Sequence, residues 1–513
     1  MKKTFALLLL SALALLTQVS ASAQQIPFLS ELFSRYEEFN RLYVEKRGAN
    51  LPAIEALRKR GEEAFRHGNI PGVLEVISEG VTLLQGRQWD ERQKFLASLT
   101  VETDRLVIEP NQDLQVSLTR MYPADMEKAF PTPPTVSFEV VPAPRAADGA
   151  TPAAAPSKPV LIAQKLAIAE SSSNASRRML LAEGVYWVVA RIESGGQVVA
   201  EIKRPVYAIT DFSDSMKGFA KAVADIKASN DPKVKTVAPL ITTPEFQLQR
   251  LSSLNRTRGE DNLDPAREFA SLESSLSALA KGQNPFAREK GELERAYQGS
   301  DGKLIPYRVY VPQSYDGATP RPLVVMLHGA LGDERYYFSG LFDAAVIKGE
   351  AERRGYILVG VNGRGRFGGY RGLAVEDVYD VIKSVSRDYK IDASRIYLTG
   401  HSMGGYGAWL VAAERPEVFA AIAPVSGGPP AQGEALAGLL QKVKGIPALV
   451  AHGARDGIVT PERSREVVSA AQKAGMKVTY LEVPEADHLS ILAATFPAIL
   501  DFFEKNAKPA PAK

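Results

Sequence analysis

The sequence predicts an α/β protein whose C-terminal part, residues 295–506, is a mostly parallel sheet with helices on both faces. Helical segments and a small β-sandwich-like domain precede it. Three observations predict this. Short apolar runs alternate with helical patterns over the last two-fifths of the chain. A block at 104–210 is rich in β-branched residues and turn signals. The 513 residues are also too many for one ordinary domain.

The elements follow in chain order. MKKTFALLLLSALALLTQVSASAQ opens with Lys2 and Lys3, continues as an apolar run over 5–16, and ends in Ala21-Ser22-Ala23. This predicts a cleaved signal peptide over 1–23 and an exported protein, periplasmic or extracellular. The run is shorter than the ~20 residues that span a bilayer. Residues 24–103 form a helical region, with Leu32, Tyr36, Phe39 and Tyr43 at helical spacing and further helices at 52–67, 71–84 and 90–99. The block at 104–210 resembles a small sandwich of the immunoglobulin or fibronectin kind, with a hairpin around Ser194-Gly195-Gly196. A Pro/Ala-rich stretch at 142–159 reads as a disordered surface loop. Residues 211–290 return to helical patterns, clearest at 265–280, with polar linker-like sequence at 255–262.

From about residue 295 the pattern becomes strand and helix in turn. YRVYVP, PLVVMLHG, YILVGVN, RIYLTG, FAAIAPVS, PALVAHG and KVTYLEVP are the strands. Helices at 375–389, 405–415, 461–474 and 490–505 lie between or after them, and 507–513 is a disordered tail. In such sheets, sites form at the carboxyl ends of the strands.

Composition excludes several chemistries. There is no cysteine, which removes disulfides, thiol catalysis, cysteine-ligated metals and a lipid-modified N-terminus. A net charge of +3 gives no support for a nucleic-acid partner. No metal-ligand cluster, P-loop or dinucleotide fingerprint appears, so neither metal nor cofactor is expected.

TGHSMGG, residues 399–405, carries the chemistry. GHSMG fits G-x-S-x-G, a weak pattern alone, but RIYLTG precedes it as a strand and a helix follows. Ser402 then sits at a strand-to-helix turn, flanked by Gly400 and Gly404 where side chains would collide. Its hydroxyl needs a base. Of the five histidines, His67 belongs to the helical N-terminal part, His328 and His452 stand at strand ends, and His401 lies inside the turn with its side chain directed away from the serine. Only His488, in PEADHLS, occupies a loop after the last strand. Asp456 follows PALVAHG and precedes His488 by 32 residues, which makes it the acid. Asp487 and Glu485 are rival carboxylates, read as solvated loop charges. The oxyanion donors are the backbone N–H groups of Met403 and of Ala330 in LHGALGD, with Leu331 the rival to Ala330. His328-Gly329 shapes that loop. In NGRGRFGGYRG, Arg364, Arg366, Phe367 and Tyr370 are candidates for substrate contact. The competing reading is a loop anchored by ion pairs to Glu376 or Asp377. Tyr406 and Trp409 read as core.

YRVYVP, LHGALGD, NGRGRFGGYRGLAVEDVYDVI, RIYLTGHSMGG, HGARDGIV and ADH together resemble secreted bacterial α/β-hydrolases similar to polyhydroxybutyrate depolymerases, feruloyl esterases and acetyl-xylan esterases. They are also similar to the catalytic domain of prolyl-oligopeptidase-like peptidases. The resemblance covers 295–506, and the strand-rich block before it is too short for the propeller of true prolyl oligopeptidases. It implies an α/β-hydrolase catalytic domain with Ser402, Asp456 and His488 in that family's chain order. The expected activity is that of an exported serine hydrolase cleaving carboxylic esters through an acyl-enzyme on Ser402. The expected partner is a small-molecule or polysaccharide-linked ester, with no membrane partner after signal removal. The segment at 427–445 is too short for a large lipase-type lid, which favours a soluble ester. A serine peptidase is the alternative enzyme. A polysaccharide- or protein-binding module on an inert hydrolase fold is the alternative of another class.

Overall fold

The computed structural model describes residues 29–46, 51–143, 158–254, 264–330, 332–338, 343–364 and 369–509. The signal segment, most of the Pro/Ala-rich loop, the polar stretch at 255–262, Leu331, Arg366, Phe367 and the tail beyond residue 509 lie outside the described residues. The chain divides into two units, one running to Gln283 and the other starting at Asn284.

The first unit begins with helices Leu29–Glu45, Leu51–Arg66, Ile70–Leu84 and Glu91–Ala97. Their starts are written locally. Asn69 accepts from the Gly72 N–H with Pro71 in the first turn, and Asp90 accepts from the Gln93 N–H. Leu32, Tyr36 and Phe39 are buried at helical spacing. A Cβ on Gly80 would lie 2.6 Å from the Phe39 ring, so that position needs glycine for the helices to approach. The helix expected over 90–99 stops at Ala97. β1 (Leu99–Thr103) starts immediately after it, because Thr100, Val101 and Thr103 are β-branched and favour the pleated backbone.

The strands β2 (Val107–Ile108), β3 (Gln112–Arg120), β4 (Thr135–Pro142), β5 (Val160–Ala167), β6 (Ser172–Met179), β7 (Gly184–Ser194) and β8 (Gln197–Ala208) complete two sheets, ordered β1-β3-β6 and β2-β8-β7-β4-β5. Alternate residues of both, among them Leu114, Val116, Leu118, Val136, Phe138, Tyr186, Val188 and Ala190, share one core. Gly195 and Gly196 join β7 to β8 with φ of 59° and 78°, the paired positive values of a tight hairpin turn. Helices Phe212–Ala228, Pro232–Val237, Thr242–Ser253 and Pro265–Ala280 end the unit.

The second unit is built on one eight-stranded sheet. Its strands are β9 (Gly291–Gln298), β10 (Leu304–Val311), β11 (Arg321–Leu327), β12 (Ile357–Val361), β13 (Ile391–His401), β14 (Ala421–Val425), β15 (Ala448–Gly453) and β16 (Val478–Val483). They lie in the order β16-β15-β14-β13-β11-β12-β10-β9. Only the pairs β9–β10 and β10–β12 are antiparallel. Both faces are covered, which is why the central strands read as unbroken apolar runs. Leu323, Val325 and Leu327 of β11 point into one core, with helices Leu373–Asp388, Met403–Glu414 and Pro461–Lys473. Val324 and Met326 point into the other, with helices Ala344–Arg354 and Ile491–Glu504. β9 begins at Gly291, ahead of the start expected at 295, and residues before it also pack here. The Arg295 guanidinium lies 4.1 Å over the Phe286 ring and pairs with Glu289.

Candidate active site

The parallel register brings the carboxyl ends of five strands to one edge. Gly400 is opposite Leu327, His401 opposite Val425, and Gly453 opposite Val483. Ser402 follows directly on β13 and caps the helix Met403–Glu414. Its φ is 54°, in the left-handed region, a strain of about 1–3 kcal/mol for a residue with a Cβ. The turn is held on both sides: the Ser402 N–H donates to the Val425 carbonyl at 2.9 Å, and its carbonyl accepts from the Tyr406 N–H at 3.1 Å. The flanking glycines are steric necessities. A Cβ on Gly400 would lie 2.1 Å from the Gly404 carbonyl oxygen, and one on Gly404 would lie 2.1 Å from that of Leu327. Ser402 itself is 6% exposed.

His488 Nδ1–H donates to Asp456 Oδ2 at 2.7 Å, and both side chains are fully buried. The other carboxylate oxygen accepts from the backbone N–H groups of Ile458 at 2.9 Å and Val459 at 3.0 Å. Burial alone would push the Asp456 pKa up. The imidazoles of His488 and His452 and their hydrogen bonds outweigh it and hold the carboxyl well below the usual carboxylate range. A proton on Nδ1 leaves the Nε2 lone pair of His488 as its basic atom, and Nε2 has no hydrogen-bond partner among the described residues. The two loops carrying Asp456 and His488 are laced together: the Ala454 N–H donates to Val483 O and the Arg455 N–H to Ala486 O, both at 2.9 Å.

His401, read from sequence as directed away from the serine, joins this site from the other side. Its Nδ1 accepts from the Tyr336 hydroxyl at 2.7 Å, and its Nε2–H donates to the His488 carbonyl at 2.7 Å. Its ring centroid is 4.6 Å from that of His488. Burial, then the neighbouring His488, pushes its pKa well below that of an ordinary histidine, so it is neutral. No local signal marks this role, because its partners stand 65 and 87 residues away.

The remaining candidates divide. The Met403 N–H opens a helix, where the first amides lack intrahelical partners. Ala330 lies in a turn closed by the Gly332 N–H on Gly329 O at 3.1 Å. His328 ties that loop to the end of β12, its ring nitrogens 2.7 Å from Gly329 O and 2.8 Å from Asn362 O. Arg364 pairs with Asp377 and Asp301, as the ion-paired reading of its loop expects for Asp377. Tyr370 is fully buried against His328, and Glu376 pairs instead with Arg415. Trp409 is core, whereas Tyr406 is only half-buried. Glu485 is exposed and pairs with Arg455. Asp487 is not a solvated charge: one of its oxygens accepts from the Leu489 and Ser490 N–H groups and the Ser490 hydroxyl, at 3.1, 2.9 and 2.7 Å. It shapes the turn beyond the base, while the Nδ1 proton of His488 goes to Asp456.

Residues 351–428, which run from the end of the helix before β12 through β14 and include Ser402, match the model of the prolyl oligopeptidase family, Peptidase_S9. With a mostly parallel sheet covered on both faces and a serine on the strained turn between a strand and a helix, the architecture is decided. The second unit has an α/β-hydrolase fold. Among curated relatives of the chain, a bifunctional acetylxylan esterase/xylanase of Neocallimastix patriciarum is 27% identical over 166 residues, 32% of this chain and 23% of that protein. Feruloyl esterase B of Neurospora crassa is 32% identical over 145 residues, 25% of this chain and 46% of that protein. The chain thus spans less than half the length of these relatives. A solved feruloyl esterase module from Clostridium thermocellum aligns over 43% of this chain and 90% of its own, at 18% identity and a TM-score of 0.37.

Proposed function

We propose that the chain is an exported serine hydrolase that cleaves carboxylic esters through an acyl-enzyme on Ser402. The observation that carries this reading is the buried Asp456–His488 pair with an unpartnered Nε2, its ring packed against the residue preceding Ser402. In the proposed reaction Nε2 takes the Ser402 proton as the oxygen attacks the ester carbonyl. The N–H groups of Met403 and Ala330 receive the oxyanion. His488, now an imidazolium stabilised by Asp456, returns the proton to the leaving alcohol. Water, deprotonated by the same Nε2, then releases the acid and restores Ser402. The stretch 1–23, with its lysines, apolar run and Ala21-Ser22-Ala23, supports export.

Feruloyl and acetylated-polysaccharide esters are the substrates we favour, since the curated relatives above are named for them. A peptidase is the second reading, favoured by the prolyl oligopeptidase family match. One panel separates them: acetyl, feruloyl and longer acyl esters beside matched amides, with labelling by a fluorophosphonate. Esters are expected to be cleaved well beyond the difference set by intrinsic reactivity. Equal kcat/KM after that allowance favours the peptidase, and absence of labelling with no turnover favours an inert fold.

A further inference from the structure

His452 closes β15 and is fully buried, yet the reaction just described does not use it. Its Nε2 lies 2.8 Å from the Val459 carbonyl oxygen and 3.1 Å from Asp456 Oδ2. Both neighbours only accept, so Nε2 carries a proton; it donates to the Val459 carbonyl, with Asp456 Oδ2 beside the same N–H. Its Nδ1 lies 2.6 Å from Ser464 Oγ in the helix Pro461–Lys473, and that hydroxyl oxygen lies 3.1 Å from the Gly427 carbonyl just past β14. The ring therefore spans the acid, the carbonyl of the loop that bears it and the following helix. A leucine would occupy a similar volume and supply none of these bonds. Asp456 is saturated as a result: two backbone N–H groups reach one oxygen, and the imidazoles of His488 at 2.7 Å and His452 at 3.1 Å reach the other.

We propose that His452 is a positioning residue for the triad acid. It holds Asp456 in the rotamer that meets His488, and its Nε2–H beside Oδ2 sets how strongly that carboxylate stabilises the His488 imidazolium. This rests on reading Ser402, Asp456 and His488 as one triad. A donor on a carboxylate spreads its negative charge. Without the His452 donor, more of that charge faces His488 and favours its protonated form. The acid limb of the kcat/KM profile, which reports the base in the free enzyme, then moves to higher pH. The other titratable groups facing His452 are His401, kept neutral by burial, and Glu482 across the β15–β16 ladder, held ionised chiefly by Arg465.

The test uses the full-length protein. Fluorophosphonate labelling of the wild type, lost in Ser402→Ala, establishes the triad reading first; labelling that survives Ser402→Ala, or is absent from the wild type, overturns that reading and this one with it. His452→Leu is then expected to lower kcat by about 10- to 100-fold, as loss of a supporting partner typically does. KM should stay within about twofold, and the acid limb should rise by roughly half to one pH unit. His452→Gln places an amide N–H near the Nε2 position. It should keep kcat within about fivefold and leave the limb in place. If His452→Leu does not fold, Ser464→Ala loosens the same ring with a smaller change of volume, and its limb should move in the same direction by less. The proposal is overturned if kcat and melting temperature fall together while the limb stays put, or if the glutamine variant shifts the limb as far as the leucine one.

Discussion

The two units treat their histidines in opposite ways. The first, through Gln283, has one, His67, exposed just past the helix Leu51–Arg66 with its Nδ1 2.8 Å from the Glu63 carbonyl. The hydrolase unit holds His328, His401, His452 and His488, each no more than 1% exposed. Taking an imidazole out of water costs free energy unless its nitrogens find partners. In the second unit they find them across the fold, His488 Nε2 excepted among the described residues. His328 reaches β12, His401 joins Tyr336 to His488, His452 joins Asp456 to Ser464, and His488 meets Asp456. The sandwich instead spends its polar groups on its surface, as in the Arg191–Glu139 and Arg191–Glu201 pairs. Titratable groups withdrawn from water and satisfied across loops, rather than charge as such, mark where chemistry resides.

The largest effect that would break this contrast is on turnover. Ser402→Ala should lower kcat for esters by about 10⁴- to 10⁶-fold, and Asp456→Asn by roughly 10⁴-fold, with melting temperature nearly unchanged for the first. Steady-state kinetics beside thermal melts check both; an Asp456→Asn loss below tenfold would remove the acid's role.

A second comparison cuts the chain between the units. A fragment starting at Asn284 should melt cooperatively and retain esterase activity. One starting at 295 loses Gly291–Glu294, the half of β9 that pairs with Arg308–Val311, together with the Phe286–Arg295 contact. Its stability should fall by several kcal/mol, the order expected for deleting part of an edge ladder and a buried contact. Denaturant melts of both fragments measure the difference, and equal midpoints would show that Gly291–Glu294 and the Phe286 contact add nothing.

Acidification should separate the units more gently. The His401 pKa is depressed in the folded state, so below an unfolded value near 6.5 the unfolded chain binds the extra proton. Its stabilising contribution is complete above about pH 6.5 and declines as pH falls, by at most about 1.4 kcal/mol per pH unit. The hydrolase fragment should therefore lose stability between pH 6.5 and 5.5. A His401→Gln variant should show a shallower loss, and an unchanged slope would mean that His401 is not the group responsible. Asp456, also depressed, contributes fully above about pH 4 and is lost only as pH falls further, which keeps the two effects apart. The smallest effect is that of Asp487→Asn. The amide oxygen still accepts the turn's N–H donors, so kcat should change by less than about tenfold; a larger loss than for Asp456→Asn would reverse the assignment of the acid.

What the sequence disclosed follows the range of the forces involved. The buried parallel strands were legible because both faces are covered, and Leu323–Leu327 and Ile357–Val361 read as plain apolar runs. The turn at Ser402 was legible because its sterics are settled within five residues. β9 was not, since GELERAYQ is an edge strand with Glu292, Glu294 and Arg295 along it and no apolar run. The positions of His401 and His452 against His488 and Asp456 were hidden for another reason: they depend on contacts between loops that only the finished sheet brings together. Asp487 was misjudged because a turn-forming carboxylate and a solvated one look alike in sequence.

The ring of His401 has one last consequence. It lies 4.6 Å from the base, close enough to suggest a spare. Its lone pair is already taken by the Tyr336 hydroxyl and its proton by the His488 carbonyl. It has nothing left to accept a proton with, and burial disfavours a second one. On the proposed mechanism the site therefore has no redundancy: two imidazoles stand side by side, one wired as scaffold and one left with a free nitrogen, and loss of the second is not covered by the first.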